Sequence, residues 1–586
     1  MSLSRPARPD GVDEPVAEPD ALPERLDDPQ LRAEPAERAD EADRISAPAP
    51  AHPLAHGRVL FAVVVAAAGI FLFFCYLRLS KTFLLDSDGA GNALQAWDML
   101  HGNLLLRGWT LSDVSFYTTE LPEYMLVELV HGLNANVVHI GAALTYTLLV
   151  VLVALLAKGR STGRRAALRM MVAAGIMISP QLGYGVWVLM AQPDHTGTSV
   201  PVLLAWLLVD RGGRRWWVPL TTAVLLAAAY VADETALVIG VLPLLVIVGW
   251  RLYQRVYQQR PADTELKLWP ELARVRYELS LIAAGLVALV AGLVVPTLIR
   301  HSGGYSLLPV PHTLTQSGDM VPHIWGTISG ATWLFGANIF GLTLSLSTGL
   351  VALHLVGFGL AAWALCAGVR RFVGDDLVSA LLTLGALLAI VAYLLYPENA
   401  GPREMSAVLP FSSALVGRLL VDRLAAARLK PVIAVVLCLY VVTLGINVTS
   451  APEATDFRPL ASWLSDHGLR YGLASYGYAS SVTLAAGNRV QIRPVEAPAG
   501  TPQLYPRLWE ADKSWYNPAL HYANFVLSGP ASGPSGAGLP LGQVLHDFGP
   551  PARRYRVDGV SVLVWNYNLL TRTEWGHPWP VWDPSL

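Results

Sequence analysis

The chain has 586 residues, of which 53% are hydrophobic and 15% are charged. A typical soluble protein has about 25% charged residues. This chain has too few to cover the water-exposed surface of a soluble protein of its size, so most of it is expected to lie in lipid. The net charge of -2 excludes the strongly basic field of a nucleic-acid-binding protein. The three cysteines all fall in apolar runs, which excludes a disulfide framework and a cysteine-based zinc site.

Residues 1–57 differ in composition from the rest of the chain. They contain thirteen Asp or Glu, six Arg, no Lys and ten Pro, and they have too few apolar side chains to form a packed core. We predict a disordered acidic tail. No apolar segment follows a basic start within about 30 residues, so the tail is not expected to be a signal peptide.

Apolar runs that can cross a bilayer begin after this tail and continue to residue 448. A crossing needs about 20 apolar residues, and we predict eleven of them, at 59–78, 135–157, 167–190, 198–210, 217–232, 235–250, 277–299, 342–365, 377–396, 404–421 and 431–448. One set of connecting loops contains twenty Lys and Arg residues, and the opposite set contains five. Lys and Arg concentrate on the cytoplasmic side. The N-terminus is therefore predicted to lie on the cytoplasmic side of the cytoplasmic membrane, and residues 449–586 are predicted to lie on its outer side.

Three large segments are predicted on the outer side. The first is the loop 79–134. It contains two helical patterns that are typical of helices lying flat on a bilayer, at 90–103 and 122–132. The second is the loop 300–341, which is rich in Gly, His and Trp, and the third is the tail 449–586, which alternates helical stretches with β-like runs. The expected fold class is mainly α: a polytopic membrane domain of about eleven transmembrane helices (58–448) with a small C-terminal extracytoplasmic α/β domain.

Carboxylates collect in the turns of the outer side. The first outer loop opens with Asp86-Ser87-Asp88 and continues to Glu120, and later turns contain Asp194-His195, Asp233-Glu234, and Glu398 with Arg403. Ionisable groups at membrane depth are costly and usually functional. Four turns that each present a carboxylate, one of them with an arginine nearby, indicate an active site at the outer face. Asp233 and Glu234 have a second interpretation, as caps of the following helix.

This layout resembles that of the GT-C glycosyltransferases, polytopic enzymes that take sugars from polyprenyl-phosphate carriers. The similar features are an inside N-terminus, a first outer loop that opens with Asp86-Ser87-Asp88 and carries two flat helices, and a terminal outer domain. In that domain, Tyr476-Gly477-Tyr478-Ala479 and the closing strand 560–565 look like the soluble tail of actinobacterial members. The His-Pro-Pro stretch of the protein O-mannosyltransferases is missing, and Leu121-Pro122 stands roughly in its place, which argues against a protein acceptor.

The resemblance gives roles to Asp86 or Asp88, Asp194, His195 and Arg403, and the clustering of charged residues in the outer turns adds the others. Asp88 or Asp86 would act as the general base on an acceptor hydroxyl, with inversion at the sugar carbon. Arg403, with Arg300 in reserve, would bind the donor phosphate. The substrate-binding positions would be Glu120, Asp194, His195, Asp233, Glu234 and Glu398. A divalent Mg or Mn ion held by Asp86, Asp88 and Asp194 is an alternative partner for the phosphate, and the metal-dependent and metal-free forms both stay open.

The sequence therefore predicts a membrane glycosyltransferase that moves a hexosyl or pentosyl group from a polyprenyl-phosphate donor to an extracytoplasmic acceptor: a cell-envelope glycan, a lipid or a protein. A secondary transporter is the main alternative. It predicts polar groups near the bilayer midplane, where these spans are nearly all Leu, Val and Ala. A non-catalytic scaffold for envelope assembly leaves the clustered carboxylates unexplained. A soluble nucleotide-sugar enzyme is disfavoured, because the glycine-rich phosphate-binding motifs are missing.

Overall fold

The computed structural model describes residues 53–258, 268–309, 313–372, 374, 376–397, 401–452, 457–498, 500–529 and 538–572. The predicted acidic tail, apart from its last five residues, lies outside this part of the chain. Residues 62–586 belong to one compact unit, which contains all the sites discussed below. The described chain is helical up to residue 448 apart from one short strand and is mixed α/β after it.

The described helices of the membrane domain follow one another in chain order. The first are α1 (Pro53–Ser80), α2 (Ser87–Leu100), α3 (Glu120–His131), α4 (Asn136–Lys158), α5 (Gly163–Met177), α6 (Tyr184–Met190), α7 (Asp194–Arg211) and α8 (Trp217–Ala232). They are followed by α9 (Leu242–Tyr253), α10 (Leu268–His301), α11 (Met320–Leu334), α12 (Leu346–Arg370), α13 (Leu377–Leu395), α14 (Val408–Leu415), α15 (Val421–Ala426) and α16 (Lys430–Val448). The connections from α2 to α3 and from α10 to α11 are longer than the others. Single π-helical turns precede α9 and join α14 to α15, so both regions form continuous spans, 237–256 and 402–426.

Eight helical segments of the described chain are long and apolar enough to cross a membrane, whereas the sequence predicted eleven. The predicted span 167–190 is interrupted at residues 178–183, around Pro180 and Gly183, where the chain leaves α5 before it restarts as α6. α7 covers the predicted span 198–210 but also carries Asp194, Asp210 and Arg211, and α8 has 16 residues. The count of eleven is therefore not confirmed. By the length and composition of its helices, the chain is a multi-pass membrane protein.

The first loop contains both helices that the sequence predicted. α2 begins at Ser87 and α3 at Glu120. α3 buries Leu121 and exposes Leu126 and Val130, as expected for an amphipathic helix. The sequence analysis predicted residues 300–341 only as a loop. The structure has the helix α11 in this segment, where apolar residues separate the glycines.

The C-terminal region forms the α/β domain predicted from the alternation of helical and β-like runs. Its helices are α17 (Arg458–Asp466), α18 (Tyr476–Ala485) and α19 (Leu541–Phe548). The strands of the described chain are β1 (Trp109–Thr110), β2 (Tyr471–Ala474), β3 (Gln491–Glu496), β4 (Tyr505–Pro506), β5 (Ala511–Asp512), β6 (Phe525–Ser528), β7 (Arg553–Val557) and β8 (Val560–Val564). Within the described residues, β4-β3-β2-β6-β8-β7 form a sheet in which β2 runs parallel to β3 and β6, and the other pairs are antiparallel.

A strand pair and a shared apolar core attach this domain to the first loop of the membrane domain. β1 pairs antiparallel with β5. Apolar side chains of both parts share one core, in which Ala90 and Tyr124 pack with Phe457, Tyr478 and Val482. Burial of apolar surface of this kind stabilises an interface by about 25 cal/mol per Å². The start of α18 and the residue before β5 consequently lie next to the start of α2.

Candidate active site at the ends of the membrane helices

A buried arginine lies among three of the predicted carboxylates. Nη2 of Arg403 donates to Oδ2 of Asp86 at 2.7 Å, and Nη1 donates to Oδ2 of Asp194 at 3.3 Å. Oδ2 of Asp88 lies 3.8 Å from Nη1. Arg403 is 8% exposed, so these interactions act in an environment of low polarity, where ion pairs and charged hydrogen bonds are strong.

Trp187, in α6, holds the arginine from a second side. The guanidinium carbon of Arg403 lies 4.2 Å from the centroid of the indole ring, a cation–π contact. The indole Nε1 donates to Oδ2 of Asp86 at 3.1 Å, and the Trp187 carbonyl accepts from Nη2 of Arg403 at 3.3 Å. The sequence analysis missed this residue, because it placed Trp187 within a continuous span. Pro180 and Gly183 were the signals for the break that brings it to the site.

Asp86 and Asp88 lie close together in sequence but differ in their surroundings. Asp86 is the N-cap of α2, accepts from the amide of Asp88 at 3.2 Å, and has a side chain that is 12% exposed. Asp88 lies in the first turn, and its side chain is 35% exposed. Burial in the site and the negative charge of Asp86 raise the pKa of Asp88 to about 7. The pKa of Asp88 thus lies near neutral pH, and Asp86 has the shorter contact with Arg403.

Asp88 lies where two cavities meet. The larger cavity has a volume of about 540 Å³ and is lined by the start of α2, Trp187, Tyr476, Glu496, Arg507 and neighbouring residues of both domains. The smaller has a volume of about 170 Å³ and is lined by Asp113, Phe116, Asp194, His195, Arg403, Glu404, Trp509 and Glu510, among others. Both cavities are lined by Asp88 and Trp187. A group in either cavity therefore has access to the same carboxylate.

His195 and Asp233, from separate predicted turns, form a pair beside the smaller cavity. Nδ1 of His195 lies 2.8 Å from Oδ2 of Asp233, and the Thr198 hydroxyl donates to the same oxygen at 2.6 Å. The Thr235 amide donates to Oδ1 of Asp233 at 2.8 Å. One oxygen of Asp233 thus caps the following helical turn, which was the second interpretation, and the other contacts His195. The predicted substrate-binding role of Asp233 stays a prediction.

The C-terminal domain contributes two side chains that the sequence analysis did not select as site residues. The hydroxyl of Tyr476 lies 2.6 Å from Oδ1 of Asp88 and 2.8 Å from Oε2 of Glu510. Glu510 precedes β5, and Tyr476 begins α18. Tyr476 was quoted only as part of a family-like segment, and no sequence pattern ties either residue to a loop almost 400 positions earlier.

Backbone conformation also marks the smaller cavity. Phe116, Asp194 and Glu510, which all line it, have positive φ values of 49°, 38° and 51°. Residues other than glycine rarely adopt this region, and such positions cluster at functional sites. The backbone here is held in place by the surrounding contacts rather than by local preference.

The remaining predicted residues lie at different distances from this centre. Glu120 is buried, accepts from the Thr119 hydroxyl and packs against Gly197 in α7. Glu234 and Arg300 are exposed, and neither lines the two cavities. Glu398 lies outside the described residues. The structure thus brings together Asp86, Asp88, Asp194, His195, Asp233 and Arg403, and it leaves Arg300 and Glu234 outside the cluster.

The guanidinium of Arg403 lies at the position where the sequence analysis allowed a divalent metal ion. Asp86, Asp88 and Asp194, the proposed ligands, surround the guanidinium of Arg403. Among the described residues, no group of three or more His, Cys, Asp or Glu side chains is arranged to hold a metal ion. The three aspartates therefore do not fit a metal ion in this arrangement.

Glu128 in α3 is a buried carboxylate outside the cluster that gives a stability prediction. Within the described residues neither of its oxygens has a hydrogen-bond partner, and burial raises its pKa from 4.5 to about 8. The folded state therefore holds a proton that the unfolded state loses, so this group lowers stability as pH rises from about 4.5 to about 8.

We expect Glu128→Gln to raise the free energy of unfolding above pH 8, by roughly 1–3 kcal/mol, and to have little effect in acid. Thermal unfolding of the purified protein in detergent at several pH values measures this difference. Asp466→Asn, at an exposed position of α17, is the control. An equal effect of Glu128→Gln at every pH would contradict the assignment.

Comparison with known proteins gave likenesses in structure. No protein-family model matches the chain, and no curated protein matches it in sequence. Among solved structures, ArnT from Cupriavidus metallidurans bound to undecaprenyl phosphate is similar at 13% identity, with a TM-score of 0.48, over 89% of this chain and 99% of that chain. Its apo form gives 12% identity and a TM-score of 0.48 over 87% and 98%.

A second similar protein is an oligosaccharyltransferase from Archaeoglobus fulgidus, in complex with Zn and sulfate. It is 13% identical, with a TM-score of 0.44, over 80% of this chain and 68% of that chain. All of these likenesses have TM-scores below 0.5 and identities of 12–13%. At such identities no residue role is carried over, so the roles proposed below rest on contacts within this chain.

Proposed function

We propose that this protein is a membrane glycosyltransferase that moves a sugar from a polyprenyl-phosphate donor to an acceptor hydroxyl outside the cytoplasmic membrane. The observation that carries the proposal is the position of Asp88, a carboxylate that ionises near neutral pH in the wall between two cavities, beside a buried arginine. A transfer reaction needs a place for each substrate and a base between them.

Asp88 is the better candidate for the base of the two adjacent aspartates. Oδ2 of Asp86 accepts from both Arg403 and Trp187, so both lone pairs of this oxygen are occupied and the negative charge of Asp86 is balanced. Asp88 has greater exposure to the cavities and no comparably short contact with the arginine. Asp88 takes the proton of the acceptor hydroxyl as that oxygen bonds to the anomeric carbon. The bond from this carbon to the phosphate oxygen breaks, and its electrons remain on the phosphate.

Arg403 is the proposed partner of the departing phosphate. Arg403 lines the smaller cavity, and its Nε has no hydrogen-bond partner within the described residues. Arginine keeps its charge in buried sites and matches the geometry of phosphate oxygens. Asp86, Asp194 and Trp187 hold the guanidinium in advance, which lowers the cost of orienting it during the reaction.

The position of the site in the molecule favours an enzyme of lipid-linked substrates over a transporter. Asp86 follows the end of α1, Arg403 begins the span 402–426, and Asp194 begins α7. These groups lie at helix ends rather than near the middle of spans, where a transporter is expected to bind its substrate. A substrate with an isoprenoid tail in the bilayer and a sugar phosphate at the interface matches this location.

The test is transfer from a panel of radiolabelled polyprenyl-phosphate sugars to membrane extracts by the purified protein. We expect turnover with one donor, and loss of it in Asp88→Asn. Inversion at the anomeric carbon follows from a single base without a covalent intermediate. No turnover with any donor, together with no binding of any donor, would overturn the proposal and favour a transporter or a scaffold.

A further inference from the structure

A tyrosine hydroxyl placed between two carboxylates requires a specific arrangement of protons. The oxygen of Tyr476 lies 2.6 Å from Oδ1 of Asp88 and 2.8 Å from Oε2 of Glu510, both within hydrogen-bond distance. A phenol has one proton and can donate to only one of them. Because an ionised carboxylate cannot donate, the second contact is a hydrogen bond only if one of the two carboxyl groups carries a proton.

Burial decides which carboxyl group is protonated. Glu510 is 2% exposed, whereas the side chain of Asp88 is 35% exposed and has Arg403 at 3.8 Å. Burial and the negative charge of Asp88 raise the pKa of Glu510 well above its usual range, and Asp194 and Asp86 act in the same direction. A buried carboxylate without a paired cation is costly. Glu510 is therefore the neutral member, and Asp88 is the member that can ionise.

Neighbouring groups hold Glu510, Tyr476 and Asp88 in these positions. Gly91 in α2 faces Glu510, and a Cβ at this position would overlap the carboxyl group. The guanidinium of Arg507 lies 5.1 Å from the ring centroid of Tyr476 and donates to Glu496 at 3.1 Å, so its charge is directed toward another carboxylate. The pairing of β1 with β5 holds the backbone next to Glu510.

We propose that Glu510, as a neutral acid, donates to the oxygen of Tyr476, that the Tyr476 hydroxyl donates to Asp88, and that these two residues of the C-terminal domain position the base for transfer. This inference rests on the proposed function of Asp88. Tyr476 orients the carboxylate of Asp88 and favours its ionised form, which offsets the nearby charge of Asp86. The proton that Asp88 takes from the acceptor passes to water when the products leave, and Glu510 keeps its own proton throughout.

Activity measurements on the full-length protein test the two residues separately. Glu510→Gln replaces a neutral donor with another neutral donor, so kcat is expected to fall by less than it does in Tyr476→Phe. Tyr476→Phe removes a hydrogen bond to a charged group. We expect kcat at pH 7 to fall by about 10- to 100-fold, KM to change little, and the rising limb of the pH profile to move to higher pH.

The matched control is Tyr478→Phe, two residues further along α18 on the side that packs against Phe457. It is expected to keep the wild-type kcat and pH profile. Loss of transfer in a folded Glu510→Gln protein would overturn the proposal, since Glu510 would then need to ionise. Wild-type kinetics in Tyr476→Phe would also overturn it, because Tyr476 would then have only a packing role.

Infrared spectroscopy tests the protonation of Glu510 without turnover. At pH 7 the wild-type protein is expected to show the C=O band of a buried protonated carboxylic acid, and Glu510→Gln is expected to lose one such band. No change in that band would overturn the inference. Presence of the band in a protein that transfers no sugar would overturn the proposed function while leaving the protonation of Glu510 intact, so the two failures are distinguishable.

Discussion

Asp88→Asn is expected to lower kcat for sugar transfer at pH 7 by about 10²- to 10⁴-fold, the usual contribution of a general base. The amide keeps the size of the side chain and still accepts from Tyr476, but it cannot take a proton. The pKa of about 7 has a consequence for the wild type. A base acts in its ionised form, so kcat should rise with pH through about 7 and level off above it. Steady-state rates across this range measure both effects.

The control for this change is Asp466→Asn, an exposed carboxylate of α17 remote in sequence from the outer-turn residues. Its activity should equal that of the wild type. Unchanged turnover in a folded Asp88→Asn protein would exclude Asp88 as the base. Asp194 and Asp233, which lie in the same cluster, would then be the next positions to replace.

Arg403→Met is the change with the largest expected effect on both folding and activity. It leaves the side chains of Asp86 and Asp194, each 12% exposed, without their cation, and removal of one partner from a buried ion pair costs about 3–5 kcal/mol. We expect a large fall in the free energy of unfolding and no measurable transfer. Arg403→Lys keeps the charge but not the planar group that binds two carboxylates and stacks on Trp187. It should fold, with kcat reduced on the order of 10- to 100-fold.

Two further variants show whether the effect of replacing Arg403 is specific to this arginine. Arg553→Met, on the exposed strand β7, should alter neither stability nor transfer. Arg300→Met tests the other arginine that the sequence offered for the donor phosphate. If it abolished transfer while Arg403→Lys retained full activity, the phosphate would bind at the C-terminal end of α10 rather than at Arg403. Thermal unfolding and kcat, measured on the same preparations, separate loss of fold from loss of chemistry.

Much of the candidate site was predictable because hydrophobic spans constrain where their ends lie. Asp88 and Arg403 are 315 positions apart, yet each adjoins an apolar run that must cross the same bilayer. Ends on the same side therefore meet at one level, and a carboxylate in each turn was enough to predict a shared site. What the turns did not predict was which pairs of side chains would be in contact.

The roles within the site depend on side-chain contacts that the pattern of apolar and polar residues in the sequence does not predict. Asp86 and Asp88 are equivalent as a sequence motif, and the contact of Asp86 with Arg403 distinguishes them. The same contact places a guanidinium where a metal ion was an alternative. Trp187 contacts Arg403 because the helix is interrupted between α5 and α6. Hydropathy alone had indicated one continuous span at this point.

Composition and the spacing of apolar runs determined by themselves that this chain is a multi-pass membrane protein with an α/β C-terminal domain, since transfer of apolar surface from water depends on residue type and local order. The contacts that join Glu510 through Tyr476 to Asp88 were decided only by the tertiary structure. They require the pairing of β1 with β5 and the packing of α18 on α2, and such pairings between distant segments depend on the shape of two surfaces rather than on any local pattern.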